Sequence, residues 1–186
     1  MDLQNLVVEH RIAAGLLIFS AVLFFGVGTL YAGRAIWKWP AAQTPLYLRW
    51  ERGLVITDFM MSVLGFVLLT ELLRNAGDTI FAQSALAIYL ISAAVLVVAE
   101  TTFINTGALP YPQIVAQVIL AFLAQAAFGM SLLRTGLLPS WVGWATILWT
   151  LGCLVVVPIT HPDDIYFPWL HYVAPLIIGI RLLIGS

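Results

Sequence analysis

Six blocks of apolar residues divide the chain, each close to the roughly 20 residues that cross a bilayer as an α-helix. They run over 12–36, 53–73, 79–103, 112–133, 141–159 and 165–184. None shows the period-two alternation of a membrane β-strand, and all are too long for one. The pattern predicts an all-α fold, a polytopic membrane helical bundle of six transmembrane helices in antiparallel up-down order. It forms one transmembrane domain over residues 1–186. The connections are short, so sequential helices are expected to be antiparallel neighbours.

The breaks between blocks have local causes. Asn75, Ala76, Gly77 and Asp78 read as a helix stop followed by an N-cap for the third helix. Residues 107–112 close the third helix, and Pro112 suits the first turn of the fourth. Thr135 and Gly136 end the fourth, and Pro139 and Ser140 start the fifth. The longest connection is 38–52. In it Thr44 and Pro45 look like an N-cap and a first helical residue, which would begin the second helix as an interfacial stretch. Trp37, Trp39, Trp50, Trp141, Trp144, Tyr166 and Trp169 fit aromatic belts.

Composition agrees with the pattern. The chain is 62% hydrophobic and 9% charged, whereas soluble domains carry about 25% charged residues. Its net charge of -1 offers no basic field, so nucleic acid is excluded as a partner. Cys153 is the single cysteine and cannot form an internal disulfide. Residues 1–5 lack the positive start of a signal peptide, so the first helix is expected to stay in the mature protein. Lys38, the one lysine, lies at an interface, which leaves no buried Schiff-base lysine. No P-loop, dinucleotide-binding glycine pattern or nucleophile elbow occurs.

Six spans put both termini on one face, A, and the loops after helices one, three and five on the other, face B. Arg34, Lys38, Arg49 and Arg52 cluster on face B beside the first helix. That clustering points to loop 38–52 being cytoplasmic.

Several polar side chains gather towards face B: Asp58, Glu100, Gln113, Gln117, His161, Asp163 and His171. An ionisable group inside a membrane helix is costly and is a functional candidate by default. Each also has a plainer explanation. Asp58 could pair with Arg49 or Arg52, and Glu100 could reach headgroups. Glu100, His161, Asp163 and His171 are suitable ligands for zinc or iron, but Asp163 or Asp164 equally suits an N-cap for the sixth helix. His171 lies between Pro168 and Pro175, where a kink frees backbone carbonyls that need partners. Gln113, Gln117 and Gln125 fall on one stripe of the fourth helix, which should face the interior and bond between helices. Glu71, Arg74, Asp78, Arg134 and Arg181 read as snorkelling anchors at face A.

Residues 133–144, Leu-Arg-Thr-Gly-Leu-Leu-Pro-Ser-Trp-Val-Gly-Trp, contain an Arg-x-Gly-Leu-Leu-Pro-x-Trp-x-Gly-Trp element. With residues 11–17, Arg-Ile-Ala-Ala-Gly-Leu-Leu, it resembles small uncharacterised bacterial multi-pass membrane protein families. The resemblance implies the helical architecture and a bacterial inner membrane. It carries no activity and no catalytic residue.

Three functions fit these residues. The favoured one is non-enzymatic: a bundle that binds a hydrophobic ligand or joins other membrane subunits in the bilayer. The second is a metal-assisted lipid hydrolase using Glu100, His161, Asp163 and His171 as ligands, with Asp58 as base. The third is a small proton-coupled transporter with Asp58 or Glu100 carrying the proton. The residues imply no particular cofactor.

Overall fold

The computed structural model describes residues 3–161 and 168–185, which form six α-helices and no strand. These are α1 (Leu3–Ala35), α2 (Pro45–Asn75), α3 (Ile80–Thr106), α4 (Tyr111–Thr135), α5 (Ser140–Thr160) and α6 (Val173–Gly185). Two 3₁₀ turns, Pro40–Gln43 and Pro168–Tyr172, lead into α2 and α6. The first five helices are long and apolar enough to cross a membrane.

Capping chemistry sets the bounds. Thr44 Oγ1 accepts a hydrogen bond from the Tyr47 N–H at 3.3 Å, and Pro45 takes the first helical position. α2 therefore starts well before its apolar block. Its 31 residues extend about 46 Å, longer than a hydrocarbon core of about 30 Å. Asp78 accepts from the Phe81 N–H at 3.3 Å at the start of α3. Gly107 and Gly136, with φ of 69° and 63°, end α3 and α4 in the left-handed region that other residues enter at a cost.

Packing follows chain order and closes into a ring. α1 lies against α2 and α6, α2 against α3, α3 against α4, α4 against α5, and α5 touches α6. The α4–α5 crossing is backbone to backbone. A Cβ on Gly129 would stand 2.9 Å from the Gly143 carbonyl oxygen, and one on Gly143 would stand 2.8 Å from that of Gly129. Small residues let membrane helices approach closely where no hydrophobic force drives them together. In the centre Phe66 stacks on Phe128 at 4.5 Å and tilts against Tyr89 at 4.6 Å.

The sixth helix departs from expectation. Within the expected span 165–184, the described residues form the 3₁₀ turn Pro168–Tyr172 and a 13-residue α6. At about 20 Å, α6 reaches only part of the way across. Its Pro175 sits in the first turn, where the N–H groups lack helical partners in any case.

The lead-in turn lies deep. The Trp149 Nε1–H donates to the Leu170 carbonyl at 2.8 Å, and Trp149 is eleven residues before the end of α5 at Thr160, about 17 Å down the helix. Gln125 Nε2 donates to the His171 carbonyl at 2.9 Å, and the Tyr172 ring stacks on Phe24 at 4.5 Å. Non-helical backbone is tolerated at this depth only when protein covers it and meets its polar groups. Two side chains meet the freed carbonyls here, and the side chains of Leu170, His171 and Tyr172 are buried.

Candidate functional site

Buried polar residues occupy two levels of the bundle. The upper level is an ion cluster at face B. Arg34, the next-to-last residue of α1, donates to both Glu51 carboxylate oxygens, from Nε at 2.6 Å and Nη2 at 2.9 Å. Arg52 Nη2 donates to Glu51 Oε1 at 2.7 Å, and its Nη1 reaches Glu100 Oε2 on α3 at 3.5 Å. The Glu51 side chain is 0% exposed, Glu100 1% and Arg52 6%. The Arg52 guanidinium lies 4.8 Å from the Phe103 ring centroid, and Arg34 lies 5.6 Å from that of Tyr31. Two arginines and two glutamates make the cluster neutral as a whole. That balance, with forked guanidinium–carboxylate contacts, offsets the cost of removing four charges from water.

The second level lies two helical turns further along α2. Asp58 is fully buried, and its Oδ1 accepts a hydrogen bond from the Tyr172 hydroxyl at 2.8 Å. Among the described residues, Asp58 Oδ2 has no hydrogen-bond partner, nor does Gln125 Oε1. The Tyr89 hydroxyl and His171 Nε2 share a 2.7 Å hydrogen bond. Phe59 stacks on both rings, at 5.1 Å from Tyr89 and 5.0 Å from His171. One turn beyond Asp58, the Ser62 hydroxyl donates to Ser20 Oγ at 2.8 Å, which donates to the Leu17 carbonyl at 2.9 Å. Ser92 donates to the Gln117 carbonyl at 2.9 Å. Hydrogen-bonding groups from α1, α2, α3, α4 and the lead-in turn thus meet in one layer.

The residues singled out in the sequence divide between these levels and the surface. Asp58 and His171 enter the central layer, Glu100 the ion cluster, and Gln117 the α3–α4 seam. Gln113 is exposed on the first turn of α4, so the expected inward stripe keeps only Gln117 and Gln125. His161 is exposed at the end of α5, with Nδ1 2.9 Å from the Thr160 hydroxyl oxygen. Asp163 and Asp164 lie outside the described residues. Among those described, no three of the metal-ligating side chains come together to hold an ion. Of the supposed metal ligands, Glu100 is bonded to Arg52, His171 to Tyr89 and His161 to Thr160. The supposed pairing of Asp58 with Arg49 or Arg52 is replaced as well. Arg49 is exposed, Arg52 turns to the two glutamates, and Asp58 turns to Tyr172.

Tyr89 and the burial of Glu51 are not evident from composition. A signal for both exists in spacing. Glu51, Val55, Asp58, Ser62 and Phe66 recur every three or four residues on α2, as do Tyr89, Ser92, Leu96 and Glu100 on α3. Each set is one buried face.

A third feature is apolar. A cleft of about 160 Å³ lies between α4 and α5, lined among others by Val118, Phe122, Cys153, Leu154, Val157 and Leu170. Compared with protein-family models, curated proteins and solved structures, the chain matches none.

Proposed function

We propose that the chain is a multi-pass membrane protein, a small transporter that binds protons at Asp58 and carries them across the bilayer. The observation that carries this reading is the situation of Asp58. It is fully buried about 20 Å along α2 from Pro45, with one oxygen on Tyr172 and the other without a hydrogen-bond partner among the described residues. A carboxylate in such a place is expensive as structure and useful as a proton carrier. The buried 3₁₀ turn that leads into the short last helix adds support. Discontinuous helices whose ends meet buried polar groups mark binding sites in many transporters. The resemblance of residues 133–144 favours a bacterial plasma membrane, and the cationic 38–52 segment favours a cytoplasmic face B.

The test is proton flux in liposomes holding the purified chain and a trapped pH dye, driven by a pH gradient. Flux should be present in the parent and lost in Asp58→Asn. Equal flux in both, or none above protein-free liposomes, removes the reading.

A second reading rests on the α4–α5 cleft, whose apolar lining suits an acyl chain or another hydrophobic ligand. Here a Phe122→Ala change would alter lipid or ligand co-purification without affecting proton flux. Unaltered co-purification removes it.

A further inference from the structure

The ion cluster and the Asp58 layer share one helix face, and the cluster lies on the face B side. Arg52, Val55 and Asp58 follow one another at three-residue spacing on α2, so Arg52 stands about 9 Å from Asp58 along the axis. The joints of the cluster are unequal. Glu51 accepts three hydrogen bonds from guanidinium groups at 2.6, 2.9 and 2.7 Å. Glu100 accepts one, at 3.5 Å, and among the described residues its Oε1 and Arg52 Nε have no partner. Arg34 and Glu51 fasten α1 to α2 firmly, whereas at this level α2 and α3 are joined, among the described residues, by one long ion pair and by the Arg52 guanidinium over the Phe103 ring at 4.8 Å.

We propose that Glu100 is a second proton-binding site, through which protons pass from face B towards Asp58, and that Arg52 is the gate it controls. This rests on the reading of Asp58 as a proton carrier. Glu100 is the carboxylate of the cluster with an oxygen open to a proton, because charged donors already cover Glu51. Binding converts the Glu100 carboxylate to a neutral acid, and the cluster gains one positive charge. Arg52 loses its ion pair with α3, keeps the one with Glu51, and retains on α3 the Phe103 ring, a weaker hold. A long cationic side chain in excess of its counter-ions moves towards headgroups and water, which opens the α2–α3 seam above Val55 and Asp58. The other carboxylates near Glu100 are already engaged, Glu51 by the two guanidinium groups and Asp58 by Tyr172. Of the groups around Glu100, Arg34 and Tyr31 come from α1, and Glu51, Arg52 and, deeper, Asp58 from α2. α4 has no charged residue before Arg134, and Tyr111 is its one titratable group on the face B side.

The test is the rate at which a membrane-impermeant thiol reagent labels a Val55→Cys chain in liposomes, with Cys153→Ser removing the native thiol. Rates are read as the ratio of Glu100→Gln to its Glu100 parent at the same pH, which cancels thiol chemistry. Glutamine imitates the protonated acid, so the ratio should exceed about fivefold at alkaline pH and fall to one as acid opens the parent. A ratio of one throughout overturns the proposal. So does a raised ratio that ignores pH, since that is what simple loosening would give. If Glu100→Gln does not fold, the reference becomes a Leu46→Cys chain, labelled outside the seam, with Glu100 intact. The Val55-to-Leu46 rate ratio should then rise as pH falls, and a constant ratio overturns the proposal. The same labelling in Asp58→Asn separates the two ideas. A pH-dependent ratio there, in a protein whose parent carries no flux, retains the gate and discards the Asp58 reading.

Discussion

The Tyr172 hydroxyl donates a 2.8 Å hydrogen bond to Asp58 Oδ1 in the buried centre of the bundle. It joins the 3₁₀ turn before α6 to the middle of α2, and it is the one hydrogen bond that Asp58 side-chain oxygens accept among the described residues. A change in the charge of Asp58 therefore acts directly on the turn through this bond.

Tyr172→Phe keeps the ring stacked on Phe24 and removes only the donor. Leaving a buried acceptor without its partner costs about 1–3 kcal/mol. Thermal unfolding in detergent should show that loss in the parent background. In an Asp58→Leu background, where no acceptor remains, Tyr172→Phe should cost clearly less. Equal costs in the two backgrounds would show that the bond contributes nothing.

The ion cluster should be asymmetric to mutation. Glu51→Gln leaves Arg34 and Arg52 competing for Glu100, and breaking a buried pair costs about 3–5 kcal/mol. Glu71→Gln removes the exposed Glu71–Arg74 pair at 2.7 Å, worth about 0.2–1 kcal/mol. Unfolding midpoints in the order parent, Glu71→Gln, Glu51→Gln are expected. The reverse order of the two variants would mean that the cluster is not buried as described.

Glycine positions give a test of packing alone. A Cβ at Gly143 meets the Gly129 carbonyl at 2.8 Å and the Leu133 side chain at 2.7 Å, whereas one at Gly15 meets nothing within 4 Å. Gly143→Ala should destabilise by about 1–3 kcal/mol through overpacking. Gly15→Ala should be neutral or stabilising by up to about 1 kcal/mol through helix propensity.

The lead-in turn depends on two side-chain donors. Gln125→Leu and Trp149→Phe remove the hydrogen bonds to the His171 and Leu170 carbonyls. Interhelical hydrogen bonds of this kind contribute about 0.6 kcal/mol each, with a maximum near 1.7. Hydrogen exchange of the amides from 170 to 174 should accelerate in either variant and most in the double variant. Unchanged protection would show that other contacts hold the turn.

Much of the fold was legible in the apolar pattern because length alone decides whether a segment can cross a bilayer. Residues 79–103 and 112–133 map onto α3 and α4 with small shifts, since glycine and proline mark their ends. Within 165–184 the described part opens as a 3₁₀ turn at Pro168 and continues as the 13-residue α6, a change of helix type that hydropathy does not register. The candidate site was legible in kind and not in pairing. Asp58, Glu100 and His171 stood out as costly in an apolar setting, but pairing depends on side-chain direction across helices. That direction sends Arg52 to the glutamates and brings Tyr172, far along the chain, to Asp58.

The most direct test of the account is the infrared spectrum of the protein in lipid, titrated with acid and read in the carboxylic-acid C=O stretching region. A band that grows as pH falls should be present in the parent and missing in Asp58→Asn, while Glu71→Gln leaves it in place. A titration of Asp58→Asn that superimposes on that of the parent would contradict the claim that Asp58 binds a proton.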